Sequence, residues 1–286
     1  MGRLRPCSAR EKSVLSGIAG WRRSYGSLAY DWPSADNEIL HFPFPVGDQA
    51  AQPKPPKPPL MSATQTIYEG VNDVVLSLVP PSATRILDVG CGAGSFGECL
   101  RKQRERYVVG ITYSEREAEM ASPRLSKVHC ADLNQFDFNP LGRFDCIVLS
   151  HVLEHLFFPD QILERLKHAL EPEGVIIVAL PNVVWWKQRL QFLIGRWKYQ
   201  DWGILDRTHL RFFDRQSSAA LLEDAGYEIM RRTTHGPFPL LKPVRKYMGP
   251  WAGKIDRWMS AALPGLLAMQ FVYLARLKQP TVPPPP

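Results

Sequence analysis

Residues 85–97 read RILDVGCGAGSFG, a short apolar run that ends in glycines at 90, 92 and 94. A run of four to seven residues rich in Val, Ile and Leu predicts a strand buried on both faces. Glycines at alternate positions let the backbone turn tightly and approach a ligand without side-chain interference. The helix that follows presents free N–H groups at its start. In an open α/β sheet, ligands sit beyond the carboxyl ends of the strands. This turn is therefore the first candidate site of the chain.

Two nucleotide classes compete for it. Residues 92–97 also fit the GxGxxG dinucleotide pattern. Asp88, two positions before Gly90, separates them. A carboxylate there suits a ligand that carries an ammonium group better than one that carries a pyrophosphate, so an amino-acid-bearing nucleotide is favoured over NAD.

Outward from this turn, similar apolar runs occupy residues 107–112, 127–132, 144–150 and 175–180, with two more strand candidates at 227–233 and 270–277. Helical stretches lie between them at 95–104, 114–121, 160–170 and 216–225. Strand–helix alternation at this spacing predicts an α/β fold with a doubly wound, mostly parallel sheet. Residues 1–60 differ: seven prolines fall within positions 43–59, which favours extended segments without a core. We read residues 1–60 as a Pro-rich, largely disordered arm, 61–279 as the folded domain, and 280–286 as a disordered Pro tail.

The chain has 286 residues, 45% hydrophobic and 22% charged, which is ordinary for a globular protein. Cys7, Cys91, Cys99, Cys130 and Cys146 form no CxxC pair, so they read as reduced, mostly buried thiols rather than zinc ligands. The net charge of +7 is concentrated at the ends: six Lys/Arg against Glu11 in residues 1–23, and seven against Asp256 in 240–278. A nucleic-acid enzyme concentrates basic residues around its cleft, so nucleic acid is disfavoured as substrate. No signal peptide or membrane span is expected, the basic C-terminal region reads as a solvated surface in preference to a loose membrane association, and the location is read as cytoplasmic.

The run ILDVGCGAGSFG resembles motif I of the class I S-adenosylmethionine-dependent methyltransferases. Downstream, FDCIVLSHVLEHL (144–156), LKHALEPEGVIIVALPN (166–182) and HLRFFDRQSSAALLEDAGYEI (209–229) resemble later segments of the small-molecule subgroup, near MetW-like and ubiquinone-type methyltransferases. The resemblance spans about residues 67–278. It implies a seven-stranded Rossmann-like sheet whose last strand is antiparallel, with S-adenosyl-L-methionine as cofactor. It also implies that Asp88, Gly90, Gly92 and Gly94 hold the methionine part, that Asp132 and Leu133 face the adenine, and that Ser150 lies beneath the methionine moiety.

One position departs from that pattern. The family usually ends its second strand with Asp or Glu to grip both ribose hydroxyls, and here Thr112 stands there. Threonine lacks the paired acceptor oxygens of a carboxylate, so Glu117 or Glu115 is needed to help.

Methyl transfer needs alignment and exclusion of water, and a base only for a weakly acidic acceptor. Candidate bases are His151, Glu154 and His155 in SHVLEHL, and His209 in RTHLRFF. Were 151–155 helical, His151 and His155 would share a face. No metal site is expected. Residues 181–214, with eight aromatics, read as an acceptor lid. The leading reading is methyl transfer to a small-molecule or lipid-precursor acceptor. The alternative is a non-catalytic methyltransferase-like protein that regulates a partner enzyme, since fold alone does not fix activity. An NAD-dependent dehydrogenase is disfavoured by Asp88 and Thr112. Oligomeric state is not legible.

Overall fold

A computed structural model describes residues 70–279. The expected arm, residues 1–60, and the tail, 280–286, lie outside the described residues. Seven strands form one sheet: β1 (Arg85–Val89), β2 (Tyr107–Thr112), β3 (Lys127–Cys130), β4 (Phe144–Ser150), β5 (Leu170–Pro181), β6 (Tyr227–His235) and β7 (Gln270–Leu277). Their order is β3-β2-β1-β4-β5-β7-β6. β1 to β5 pair in parallel, and β7 runs antiparallel to β5 and β6. From β1 the chain moves outward to β2 and β3, then returns to β4 on the other side. That reversal opens a crevice above the carboxyl ends of β1 and β4.

Alternate residues of the central strands feed two cores. Ile86, Val108, Cys146 and Val148 pack with Val75 and Leu78 of α1 (Asp73–Leu78) and Leu100 of α2 (Ser95–Gln103). Leu87, Val109, Ile147 and Leu149 pack on the opposite face with Ile162, Leu163 and Leu166 of α4 (Pro159–Leu166) and Leu222 of α6 (Arg215–Asp224). Burial on both faces explains why these strands read as nearly continuous apolar runs. The remaining helices are α3 (Glu115–Ala121), α5 (Trp186–Leu193), α7 (Lys242–Met248), α8 (Pro250–Ala262) and α9 (Pro264–Leu267).

The structure departs from the sequence reading in several places. The helix expected over 160–170 ends at Leu166 and passes through a 3-10 turn, Lys167–Ala169. Leu170 already pairs with Phe144, so β5 begins five residues before the apolar run at 175. β3 ends at Cys130, leaving Asp132 in the following loop. Helices α7 and α8 were not foreseen, because Pro243, Gly249, Pro250 and Gly253 interrupt the pattern. Both helices instead carry proline in the first turn, where its missing N–H costs nothing. Of the described cysteines only Cys91 and Cys146 are buried, while Cys99 is half-buried and Cys130 exposed; all four are free. Among the described residues, no helix is long and apolar enough to cross a membrane.

Candidate active site

The turn after β1 is pinned to β2: the N–H groups of Gly90 and Cys91 both donate to the Ile111 carbonyl, at 2.8 and 2.9 Å. Gly90, Gly92 and Gly94 have φ of 75°, 51° and 83°, the left-handed region that favours glycine. Packing adds a second demand. A Cβ on Gly90 would stand 2.4 Å from Val152 Cγ2, and one on Gly94 3.0 Å from Ala121. Beneath the turn, Asp88 is 3% exposed and its Oδ2 has no hydrogen-bond partner. Burial raises its pKa from 3.8 to about 7. A buried carboxylate oxygen without a donor, next to a bare backbone turn, is an acceptor that an ammonium group would complete.

At the end of β2, the Thr112 hydroxyl donates to Glu117 Oε2 at 2.7 Å. Of the two glutamates expected to help, the structure brings Glu117 to Thr112 and leaves Glu115 exposed. After β3, Asp132 Oδ1 accepts from the backbone and side-chain nitrogens of Asn134, at 2.9 and 2.8 Å, which closes an Asx turn. Leu133 packs partly buried against the core on the α4 side. The sequence reading missed Arg165. From α4 its guanidinium donates to the carbonyls of Leu133, Asn134 and Phe136, at 2.9, 3.2 and 2.9 Å. A lone arginine on an amphipathic helix gave no signal of that role.

Ser150 closes β4, half-buried. His151 follows with φ 57°, the only non-glycine residue with positive φ among the described residues. Such strain persists only where the surroundings over-determine it. Its N–H donates to the Ala179 carbonyl, its Nδ1 lies 3.2 Å from Glu154 Oε1, and its Nε2 lies 2.7 Å from Gln270 Oε1. Gln270 in turn accepts from Asn72, the N-cap of α1. Burial disfavours the His151 cation, but the hydrogen bond and charge of Glu154, with Gln270, outweigh it and hold the pKa above the ordinary imidazole value. Residues 151–155 do not form an α-helix. Only Leu153–His155 makes a 3-10 turn, so His151 and His155 do not share a helical face.

That turn brings Glu154 to the centre of the cluster. Glu154 is fully buried, its Oε2 has no partner, and its Oε1 stands 4.0 Å from His209 Nε2. His209 Nδ1 donates to the Ile204 carbonyl at 3.0 Å. His155 Nδ1 lies 3.0 Å from Thr208 Oγ1, whose own proton goes to Asp206. A carbonyl only accepts, and a hydroxyl that has spent its proton also accepts. In the neutral form both histidines therefore carry the proton on Nδ1 and offer Nε2 as a lone pair. The two rings are 4.7 Å apart, edge to face. Burial is the largest influence on His209 and holds its pKa below the ordinary value, against the pull of Glu154. One ligand atom each from Glu154, His155 and His209 can be chosen within 4.8 Å of one another, a spacing that suits a proton relay or a divalent cation.

Residues 182–214 separate β5 from α6 and carry α5. Their aromatics pack largely on one another. Trp185, Ile204 and Leu205 form a small core with Trp186, Phe192 and Phe212 against it. Phe192 stacks on Trp197 at 5.0 Å, and Phe212 meets the His209 ring at 6.3 Å. The rings thus fold the segment that carries His209.

A parallel sheet with an antiparallel seventh strand, and a glycine turn with a buried acid beneath it, define the class I methyltransferase architecture. The family described as "Methyltransferase domain" matches residues 63–231, and the chain belongs to it. This places it among the S-adenosylmethionine-dependent methyltransferases, whose cofactor is S-adenosylmethionine. A ubiquinone biosynthesis O-methyltransferase of Bradyrhizobium diazoefficiens is 31% identical over 107 residues, 35% of this chain and 41% of that protein. A probable S-adenosylmethionine-dependent methyltransferase of Mycolicibacterium smegmatis is 30% identical over 145 residues, 50% of this chain and 52% of that one. The chain thus spans about half the length, or less, of these relatives. A solved S-adenosylmethionine-dependent methyltransferase of Thermotoga maritima, described as a possible histamine N-methyltransferase, has a TM-score of 0.50 at 16% identity. It covers 72% of this chain and 87% of that one, a likeness of fold.

Proposed function

We propose that this protein methylates a hydroxyl of a small-molecule or lipid-precursor acceptor, with S-adenosylmethionine as donor. The observation that carries the cofactor half is the unpartnered, buried Oδ2 of Asp88 under the left-handed glycine turn. It suits the ammonium of the methionine part; in this reading Glu117 and Thr112 take the ribose, and Asp132 with Leu133 takes the adenine. Bound S-adenosylmethionine supplies a methyl group already activated on a sulfonium. The chain's part is to align the acceptor, exclude water and accept the acceptor's proton.

The acceptor half rests on the lone pairs at His155 and His209 beside the Glu154 carboxylate. As the acceptor oxygen gains the methyl group, its proton passes to Nε2 of one of these histidines, and the Glu154 charge stabilises the imidazolium. His151 has both ring nitrogens engaged, so it positions Glu154 rather than taking the proton. A second reading is favoured by the orphaned Glu154 Oε2: Glu154, His155 and His209 hold a divalent cation that lowers the acceptor's pKa. The quinone-biosynthesis relative favours a phenolic, lipid-borne acceptor. Calorimetric titration with S-adenosylmethionine, followed by a methyl-transfer assay on a panel of phenols and prenylated quinols, tests the proposal. No binding of the cofactor would sink it. Binding without turnover would favour a regulatory role.

A further inference from the structure

Between β6 and β7 the chain inserts helices α7, α8 and α9, which no part of the proposed methyl-transfer site uses. α8 buries a thin polar and small stripe, Ala252, Asp256 and Ser260. Its other side carries Trp251 and Trp258, 64% and 69% exposed, with exposed Lys254 between them and its ammonium 4.2 Å from the Trp251 ring. Tyr247, at the end of α7, is 94% exposed. A helix normally turns such rings inward, and here they point to solvent.

The charges are sorted as sharply as the rings. Asp256 is the only acidic residue between 229 and 279, and it is buried. Its carboxylate takes a two-pronged bond from Arg245, at 2.6 and 2.9 Å, and the Phe238 N–H at 2.8 Å, which pins α8 to α7. Beside α8, a groove of about 330 Å³ runs along β6 and contains Arg215, Arg231, Arg232 and Arg257. Glu223 pairs with Arg232; among the described residues no carboxylate lies within ion-pair distance of the other three. α9 is joined to the segment that carries His209, since Asn182 and Arg189 donate to the Gly265 carbonyl.

We propose that this face docks on an anionic lipid bilayer. Trp251, Trp258 and Tyr247 enter the headgroup–acyl boundary, and the arginine groove takes lipid phosphates. Exposed aromatic rings interleaved with Lys and Arg suit an interface that is apolar at one depth and negatively charged at another. Nucleic acid also attracts arginine and aromatic rings, but it offers nothing to exposed aliphatic side chains. Leu241, Val244 and Leu263, on the same insertion, are 73%, 41% and 50% exposed. The docking does not depend on the acceptor proposed above.

The test is sedimentation of the full chain with vesicles of phosphatidylcholine alone, and with one-third phosphatidylglycerol. The protein should pellet with the anionic vesicles and remain in solution with the neutral ones. Trp251→Ser with Trp258→Ser, and separately Lys254→Glu with Arg257→Glu, should each weaken that binding by about tenfold or more. High salt should mimic the charge pair only. Thermal melting of the variants checks their fold, and S-adenosylmethionine titration of the same samples reads the proposed function separately. The inference is overturned if the parent protein stays in solution with anionic vesicles. It is equally overturned if both double variants, folded, pellet like the parent. Capture of RNA without vesicle binding, or a dimer abolished by the tryptophan variant without vesicle binding, would overturn it too.

Discussion

The hydroxyl of Thr112 donates to Glu117 Oε2 at 2.7 Å, so the carboxylate at the end of β2 comes from helix α3 and not from the strand. A hydrogen bond to a charged group contributes about 1.5–3 kcal/mol. Glu117→Gln should therefore weaken S-adenosylmethionine binding roughly 10- to 100-fold. Thr112→Val should cost less, about 1 kcal/mol, because the carboxylate stays but is no longer anchored. Glu115→Gln should leave the affinity unchanged. Calorimetric dissociation constants for the three variants check this, and equal losses at Glu115 and Glu117 would remove the role assigned here.

The role proposed for Asp88 makes cofactor binding depend on pH. Unfolded, its carboxyl ionises near 3.8, whereas burial in the folded chain raises the value to about 7. Ionisation therefore works against the fold: the penalty is absent below pH 3.8, builds up to pH 7 and is fully present above it. That difference corresponds to ~4 kcal/mol. An ammonium placed against the ionised form would recover part of it. Thermal melts should show a larger stabilisation by S-adenosylmethionine at pH 8 than at pH 6. Asp88→Asn should melt no lower than the parent at pH 8, yet lose the cofactor by about tenfold or more. A pH-independent ligand shift would separate Asp88 from the ammonium.

Much of the sheet was legible because its strands are buried on both faces and punctuated by glycine, as in residues 85–97. The start of β5 was not, since Leu170 looks like the last residue of an amphipathic helix until Phe144 claims it as a partner. The glycine turn, Asp88 and Thr112 could be found because their chemistry is local. Asn72, Gln270 and Arg165 could not. Asn72 meets Gln270 across 198 residues, and Arg165 reaches its carbonyls across about thirty, so only the folded chain brings them together. Within SHVLEHL the sequence offers His151, Glu154 and His155 alike, but it does not show that Glu154 is the buried partner between His151 and His209. A glutamate among apolar residues gives no sign in sequence that it will be enclosed.

Gly90 tests whether the turn is fixed by backbone or by packing. Gly90→Ala places a methyl 2.4 Å from Val152 Cγ2 and asks alanine to hold φ near 75°. The left-handed conformation alone costs about 1–2 kcal/mol, and overpacking about 1–3 kcal/mol more. Val152→Ala removes the contact but not the backbone demand. The double variant should therefore regain roughly half of the lost stability in denaturant melts. Full recovery would assign the whole cost to packing, and no recovery would assign it to the backbone.

Arg165 holds the loop that carries Asp132 and Leu133 through the carbonyls of Leu133, Asn134 and Phe136. Arg165→Met keeps the aliphatic stem and removes the donors to three carbonyls. Stability should fall by about 1–3 kcal/mol, and S-adenosylmethionine affinity should fall with it. Maximal turnover at saturating cofactor should change little, because the acceptor side is untouched. A drop in turnover without a change in affinity would contradict the positioning role.

His209 Nε2 stands 4.0 Å from Glu154 Oε1, beyond hydrogen-bond reach, while its Nδ1 is engaged by the Ile204 carbonyl. That gap can take a proton on Nε2 or a cation, and the two predict opposite responses. With a proton, His209→Ala lowers turnover by about 100-fold or more, chelators have no effect, and turnover rises with pH as the imidazole loses its proton. With a cation, chelation abolishes turnover, a divalent metal restores it, and Glu154→Gln or His155→Ala raises the metal concentration required. Cofactor affinity should stay unchanged in every case, since Asp88, Thr112 and Glu117 lie outside the cluster. If His209→Ala and His155→Ala each retained full turnover and chelators had no effect, neither reading would survive. Glu154 would then serve the fold alone, its Oε1 meeting His151 Nδ1 and its backbone carbonyl accepting from the N–H groups of Leu210 and Arg211.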